Sequence, residues 1–131
     1  MGTIKKKIKV TGDKGSISVT ALFDSGSSKT FIRKDKASTA CTITLHDTPV
    51  DITLADGKSK IKEIGICALK MVIDDHDVND AVHVIDADSS AEMYIGVPTL
   101  QRFNIGLKFG KTQKQDKIDF SKFTPEVNEL F

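Results

Sequence analysis

Apolar and polar positions alternate along most of this chain, the period of a half-buried strand. Ile4, Ile8 and Val10 stand among lysines, so 4–10 reads as a solvated edge strand with Lys5, Lys6 and Lys7 on its wet face. Thr11-Gly12-Asp13-Lys14-Gly15 has the composition of a turn, and 16–24 alternates again, which predicts a hairpin. Residues 29–34 resume a strand or form one helical turn. The run 39–45 predicts a strand with Cys41, Ile43 and Leu45 inward and Thr42 and Thr44 outward. Two apolar runs, 50–54 and 59–64, flank Ala55-Asp56-Gly57-Lys58 and predict a second hairpin. A third is predicted from 66–73 and 81–85 around the polar tip Asp74-Asp75-His76-Asp77.

Further on, Met93-Tyr94-Ile95 reads as a short buried strand broken by Gly96. Pro98 suits the first turn of a helix, and Val97, Leu100 and Phe103 fall three apart on one face of it. Residues 105–109 and 117–120 predict closing strands around the polar loop 110–116, and the tail from Pro125 can form one amphipathic turn through Val127, Leu130 and Phe131. No repeat or linker interrupts this order. The expectation is one all-β domain over 1–131 with one short helix near its C-terminal end.

The candidate chemistry sits where the second strand stops. The alternating run 16–23 ends in Asp24-Ser25-Gly26, with Gly26 permitting a sharp turn. A carboxylate at the end of an apolar strand needs hydrogen bonds or a second group to share its charge. Asp-Ser/Thr-Gly alone arises by chance in roughly one chain in twenty of this length, and an ordinary Asx turn explains it equally well. The discriminating feature is a second motif far downstream, Met93-Tyr94-Ile95-Gly96 leading into a short helix.

Together, ALFDSGSS and MYIGVPTLQRFNIGLKF resemble the two signature segments of the retropepsins, the single-lobe, retroviral-type aspartic proteases. The likeness runs from about residue 17 to 109, and from about 110 to 131 the chain extends past the usual end of that family. It implies a retropepsin-like closed barrel that forms a two-fold homodimer, with Asp24 of each subunit as the catalytic carboxylate and Ser25 and Gly26 as the active-site turn. Ser27, Ser28, Tyr94 and Ile95 are implied to bind an extended peptide, under a flap formed by Ala55, Asp56 and Gly57. The implied activity is endopeptidase cleavage by a water activated between two Asp24 carboxylates. The alternative is a retropepsin-fold module that dimerises or binds peptides without cutting. Viral members often follow the late glycine with an arginine paired to an acidic residue; here Val97 and Ser28 occupy those places, so no charge is orphaned. Tyr94 is larger than the usual aliphatic residue there.

Composition narrows the partners. With 19 basic and 18 acidic side chains, net charge gives no pull toward nucleic acid or a membrane surface. There is no 18-residue apolar run, and MGTIKKKIKV lacks the apolar core of a signal peptide, so a cytoplasmic protein is expected. Cys41 and Cys67 lack metal-ligand spacing and are expected as reduced core thiols. His46 and His83 are expected to be structural. The acidic stretch Asp74, Asp75, His76, Asp77 and Asp80 lacks the EF-hand spacing, so neither metal nor other cofactor is expected. Ser25 has no histidine base placed for it by the sequence.

Overall fold

The first predicted hairpin forms without a break. In the computed structural model, which describes residues 3–53, 60–87, 91–110 and 116–125, β1 (Thr3–Gly12) and β2 (Gly15–Asp24) pair antiparallel from Thr3–Asp24 to Gly12–Gly15. Ile4, Ile8 and Val10 are buried while Lys5, Lys7 and Lys9 are exposed, as the alternation requires. One expectation changes: β1 is not a free edge throughout. Its far end pairs with β5 (Lys60–Ile73) at Lys9–Val72 and Thr11–Lys70.

That contact closes a barrel. From β1 the sheet passes to β2, β7 (Met93–Ile95), β3 (Phe31–Arg33), β6 (His76–Asp86) and β5, then back to β1. The pairs β2–β7 and β3–β6 are parallel; the others in the ring are antiparallel. Inside lie the fully buried Phe23, Ile32, Met71, Ile73, Met93, Ile95 and Phe103. Closure leaves the ring few free edges. The remaining strand of the sheet, β4 (Thr44–Thr53), pairs with β5 and is largely exposed.

Several local expectations are corrected. The strand predicted over 39–45 does not form. Residues Lys34–Ala40 are a helix, α1, which buries Ala37 and Ala40 one turn apart, and the Cys41 N–H closes it on the Ala37 carbonyl at 2.9 Å. Alanine's helix preference and the burial of those two methyls outweigh Ser38 and Thr39, whose hydroxyls turn back to the Asp35 carbonyl. The chain becomes extended only at Thr44, and Leu45 is 66% exposed rather than inward. Among the described residues there are therefore two helices, α1 and α2 (Val97–Arg102), where one was expected.

The two runs predicted at 59–64 and 66–73 fall in one 14-residue strand, β5, interrupted by a register shift between Glu63 and Gly65. A Cβ on Gly65 would lie 2.4 Å from the Thr44 carbonyl oxygen, so the close approach of β4 requires glycine there. The tip between β5 and β6 holds Asp74 and Asp75 at φ 47° and 66°, a tight reversal that aspartate tolerates better than branched residues. The closing strands are β8 (Gly106–Lys108) and β9 (Lys117–Asp119), which form a separate two-stranded sheet instead of joining the barrel. The predicted tail turn lies outside the described residues.

Packing generates the first prediction. Phe103→Ala, which empties a fully buried site, should cost about 3–5 kcal/mol of unfolding free energy in urea titration. Leu45→Thr, at an exposed position, should change it by less than about 0.5 kcal/mol. A large loss from the second variant would contradict the register of β4.

Candidate active site

Strand register delivers Asp24 to its place. Phe23 is fully buried, the next side chain must turn the other way, and Asp24 is the half-buried last residue of β2. Ser25 and Gly26 beyond it are exposed. Asp24 Oδ1 accepts a hydrogen bond from the Gly26 N–H at 2.8 Å, and the Asp24 carbonyl accepts from the Ser27 N–H at 3.1 Å. These bonds hold the carboxylate on the turn rather than leaving it to swing.

The second motif arrives beside the first. Parallel pairing sets Leu22 against Tyr94 and Phe23 against Ile95, so the two strands end level, one into Asp24 and the other into Gly96. A Cβ on Gly96 would lie 2.3 Å from the Lys29 carbonyl oxygen and 2.7 Å from that of Ser27. Only glycine permits this backbone contact. The Val97 N–H donates to the Ser27 carbonyl at 2.9 Å, and the Ser27 hydroxyl donates to the Lys29 carbonyl at 2.7 Å.

A buried polar chain tightens the same junction. The Gly96 N–H donates to Thr30 Oγ1 at 3.0 Å, Thr30 and Thr99 hydroxyls meet at 2.5 Å, and Thr99 donates to Asp80 Oδ2 at 2.8 Å. Because Thr99 gives its proton to Asp80, the hydrogen between the hydroxyls must come from Thr30. Arg102 completes the series with an ion pair to Asp80 Oδ1 at 3.2 Å. Thr30, Thr99 and Asp80 were not legible as a group, since they come from three distant stretches and each alone is an ordinary polar residue.

The remaining expected site residues are distributed unevenly. Ser27 and Tyr94 are half-buried and Ser28 is exposed, whereas the Ile95 side chain is fully buried in the barrel. Ala55, Asp56 and Gly57 lie outside the described residues. A surface cavity of about 770 Å³, lined among others by Asp13, Cys41, Cys67 and Arg102, does not reach Asp24. Cys41 and Cys67 are both buried, and burial pushes both thiols up, away from the reactive thiolate. The acidic stretch disperses: Asp74 pairs with Lys6, Asp80 with Arg102, and His76 stacks on Phe120 at 4.0 Å.

One cluster near the turn escaped the sequence reading. Glu63, only 3% exposed in its side chain, receives Lys29 Nζ at 3.0 Å on one oxygen. On the other it meets His46 Nε2 at 2.7 Å and His83 Nδ1 at 2.8 Å. Burial alone would raise its pKa. The hydrogen bonds from His46, His83 and Lys29 outweigh burial and bring it down to about 2. Since the folded value lies below the ordinary one of 4.5, the ionised carboxylate adds stability above about pH 4.5. That stability drains away as pH falls toward 2. The contribution is of the order of 3 kcal/mol. Urea midpoints measured between pH 6 and pH 3 should fall accordingly, and Glu63→Gln should flatten that part of the curve. An unaltered acid slope in the variant would remove Glu63 as its source.

With this geometry in place, comparison with known proteins becomes informative. A family model described as Ty3 transposon peptidase matches residues 1–120. Comparison with curated protein sequences finds no match. Among solved structures, the retroviral protease-like domain of Ddi1 from Leishmania major superposes with a TM-score of 0.59 at 18% identity, covering 94% of each chain. A retropepsin-like aspartic protease from Rickettsia conorii gives 0.56 at 21% identity, covering 91% of this chain and 99% of the other. At such identities the superpositions speak for the fold. The family match over nearly the whole length says more: this chain belongs to the Ty3 transposon peptidases, a retropepsin-like family.

Proposed function

We propose that this protein is an aspartic endopeptidase acting as a homodimer, with Asp24 of each subunit as the catalytic carboxylate. The observation that carries the reading is Asp24 itself, held half-buried at the end of β2 by the Gly26 N–H on a turn braced against Gly96. Peptide hydrolysis needs a base for the water and an acid for the leaving amine. A chain with one such carboxylate supplies both only when two copies meet across a two-fold axis. Two carboxylates about 3 Å apart share one proton, since both cannot stay charged; aspartic proteases are the standard case of this principle.

The steps follow from that sharing. The ionised member takes a proton from the bound water as its oxygen attacks the peptide carbonyl, while the protonated member gives its proton to the carbonyl oxygen. Collapse of the tetrahedral intermediate breaks the C–N bond: the amine leaves with the proton first taken from water, while one of the two hydroxyls returns its proton to the other carboxylate as the product carbonyl re-forms, restoring the singly protonated pair. Exposed Ser25 is placed to hydrogen-bond across the axis, and the backbone at Ser27 and Ser28 to bind the substrate as an added strand. Half-buried Tyr94 borders the same groove from β7. No metal or cofactor takes part, and neither nucleic acid nor a membrane is a partner. Among the described residues no helix is long and apolar enough to cross a membrane.

The bulk of Tyr94 beside the turn favours a second reading, a peptide-binding or dimerising module of the same fold. Cleavage assays separate the two. Asp24→Asn should abolish hydrolysis of an extended peptide library, by at least about 10³-fold, with circular dichroism and solution mass unchanged. Undiminished cleavage would overturn the role of Asp24. Specific activity of the natural sequence should rise with protein concentration and level off as sedimentation shows the dimer saturating. A fully active monomer would contradict the shared site, and an inactive stable dimer would favour the binding module.

A further inference from the structure

Glu63 is the one acidic side chain among the buried polar residues described, and the clasp between Asp24 and Gly96 does not itself need it. Its placement is the work of two matched irregularities. On β5 the register slips between Glu63 and Gly65, and on β4 it slips between Leu45 and Val50. Residues 46–49 of one strand therefore span a single residue, Ile64, of the other. Bulges of this kind bend a strand and re-aim its side chains. Here they bring His46 back onto Glu63 Oε2, where His83 arrives from β6.

Lys29 takes the other oxygen, and it belongs to the turn that carries Asp24. Its carbonyl accepts the Ser27 hydroxyl and faces the α-carbon of Gly96 at a distance that excludes any side chain. The Lys29 side chain thus ties Glu63 to a short, crowded backbone segment that includes Ser27, whose N–H bonds to the Asp24 carbonyl. The charged and titratable groups facing Glu63 come from every element around it: Lys29 from the turn, His46 from β4 and His83 from β6. Its neighbour Lys62 is engaged elsewhere, with Asp51 at 2.7 Å on the exposed side.

We propose that Glu63 is a positioning residue that couples the base of the β4–β5 hairpin to the catalytic turn through Lys29. Through its two oxygens β4, β5 and β6, already paired in one sheet, are tied to the segment bearing Asp24. The hairpin base and the turn thereby move as one body, so a change in β4 is felt at the turn without touching the reacting carboxylate. The effect on turnover rests on the peptidase reading, while the mechanical coupling does not.

The experiment uses the full chain with Glu63→Gln, Lys29→Met and the double variant. Kinetics should show kcat reduced about tenfold in each single variant with KM within about twofold, and the double variant no worse than the worse single, because both act through one contact. Amide hydrogen exchange should accelerate at least about tenfold at 25–30 and 44–48 while 17–22 of β2 stays protected. Exchange that is unchanged at 25–30, or that rises evenly through the barrel, overturns the coupling, as does full additivity of the two substitutions. If Glu63→Gln does not fold, Lys29→Met decides alone, its side chain being 36% exposed and tolerant of the change. If the natural sequence cleaves no peptide but exchange responds selectively, the coupling stands and the peptidase reading falls.

Discussion

The backbone contact at Gly96 is the constraint on which this structure depends. Parallel pairing of β2 and β7 brings two strand ends level, and the carbonyls of Ser27 and Lys29 then occupy the space where any larger residue would keep its Cβ. The contact is steric, so it has no gradual version. With glycine present, the Val97 N–H reaches Ser27 and the Gly96 N–H reaches Thr30. Those bonds hold the turn, and the turn holds the carboxylate.

Around that contact the protein arranges its buried polar groups with little waste. Thr30 and Thr99 are both nearly inaccessible, and each hydroxyl is satisfied within a directed series ending at Asp80 and Arg102. Leaving one of them unpaired would cost on the order of 1–3 kcal/mol. Glu63 would be costlier to leave alone, since a buried charge needs partners for both oxygens, and it has three. Both networks end on the same short segment, one at Lys29 and the other at Thr30. Rigidity there is what a carboxylate needs if its orientation is to matter chemically.

The barrel explains why the site is at an end and not in the interior. β2, β3 and β7 carry only core side chains inward, such as Phe23, Ile32 and Ile95, and chemistry is left to the positions where the strands stop. The other exposed features are bland by comparison. The acidic tip is split among Lys6, Phe120 and Arg102, and the two thiols are buried beside one another with their protons held on.

How far the sequence reaches can be followed residue by residue. Alternation over 4–24 determined the first hairpin and its inward face, because a period of two leaves no choice of side once the turn is placed. Asp24-Ser25-Gly26 and Ile95-Gly96 were legible too, since each is a strand end followed by glycine, and their pairing pointed to the family. Helix α1 was not, because 39–45 carries a strand-like pattern and only the packing of Ala37 and Ala40 against the barrel decides for a helix. Leu45 went outward because the strand begins only at Thr44, five residues later than its pattern suggested, and lies beside β5 outside the closed ring. His46 and His83 read as structural histidines, and their meeting at Glu63 depends on two opposed bulges that no local pattern announces. Local chemistry, turns and strand phase are short-range properties and were determined by the sequence itself. Which distant polar residues share one buried proton network was decided by tertiary structure alone, because only closure of the barrel brings 29, 46, 63 and 83, or 30, 80 and 99, within reach of each other.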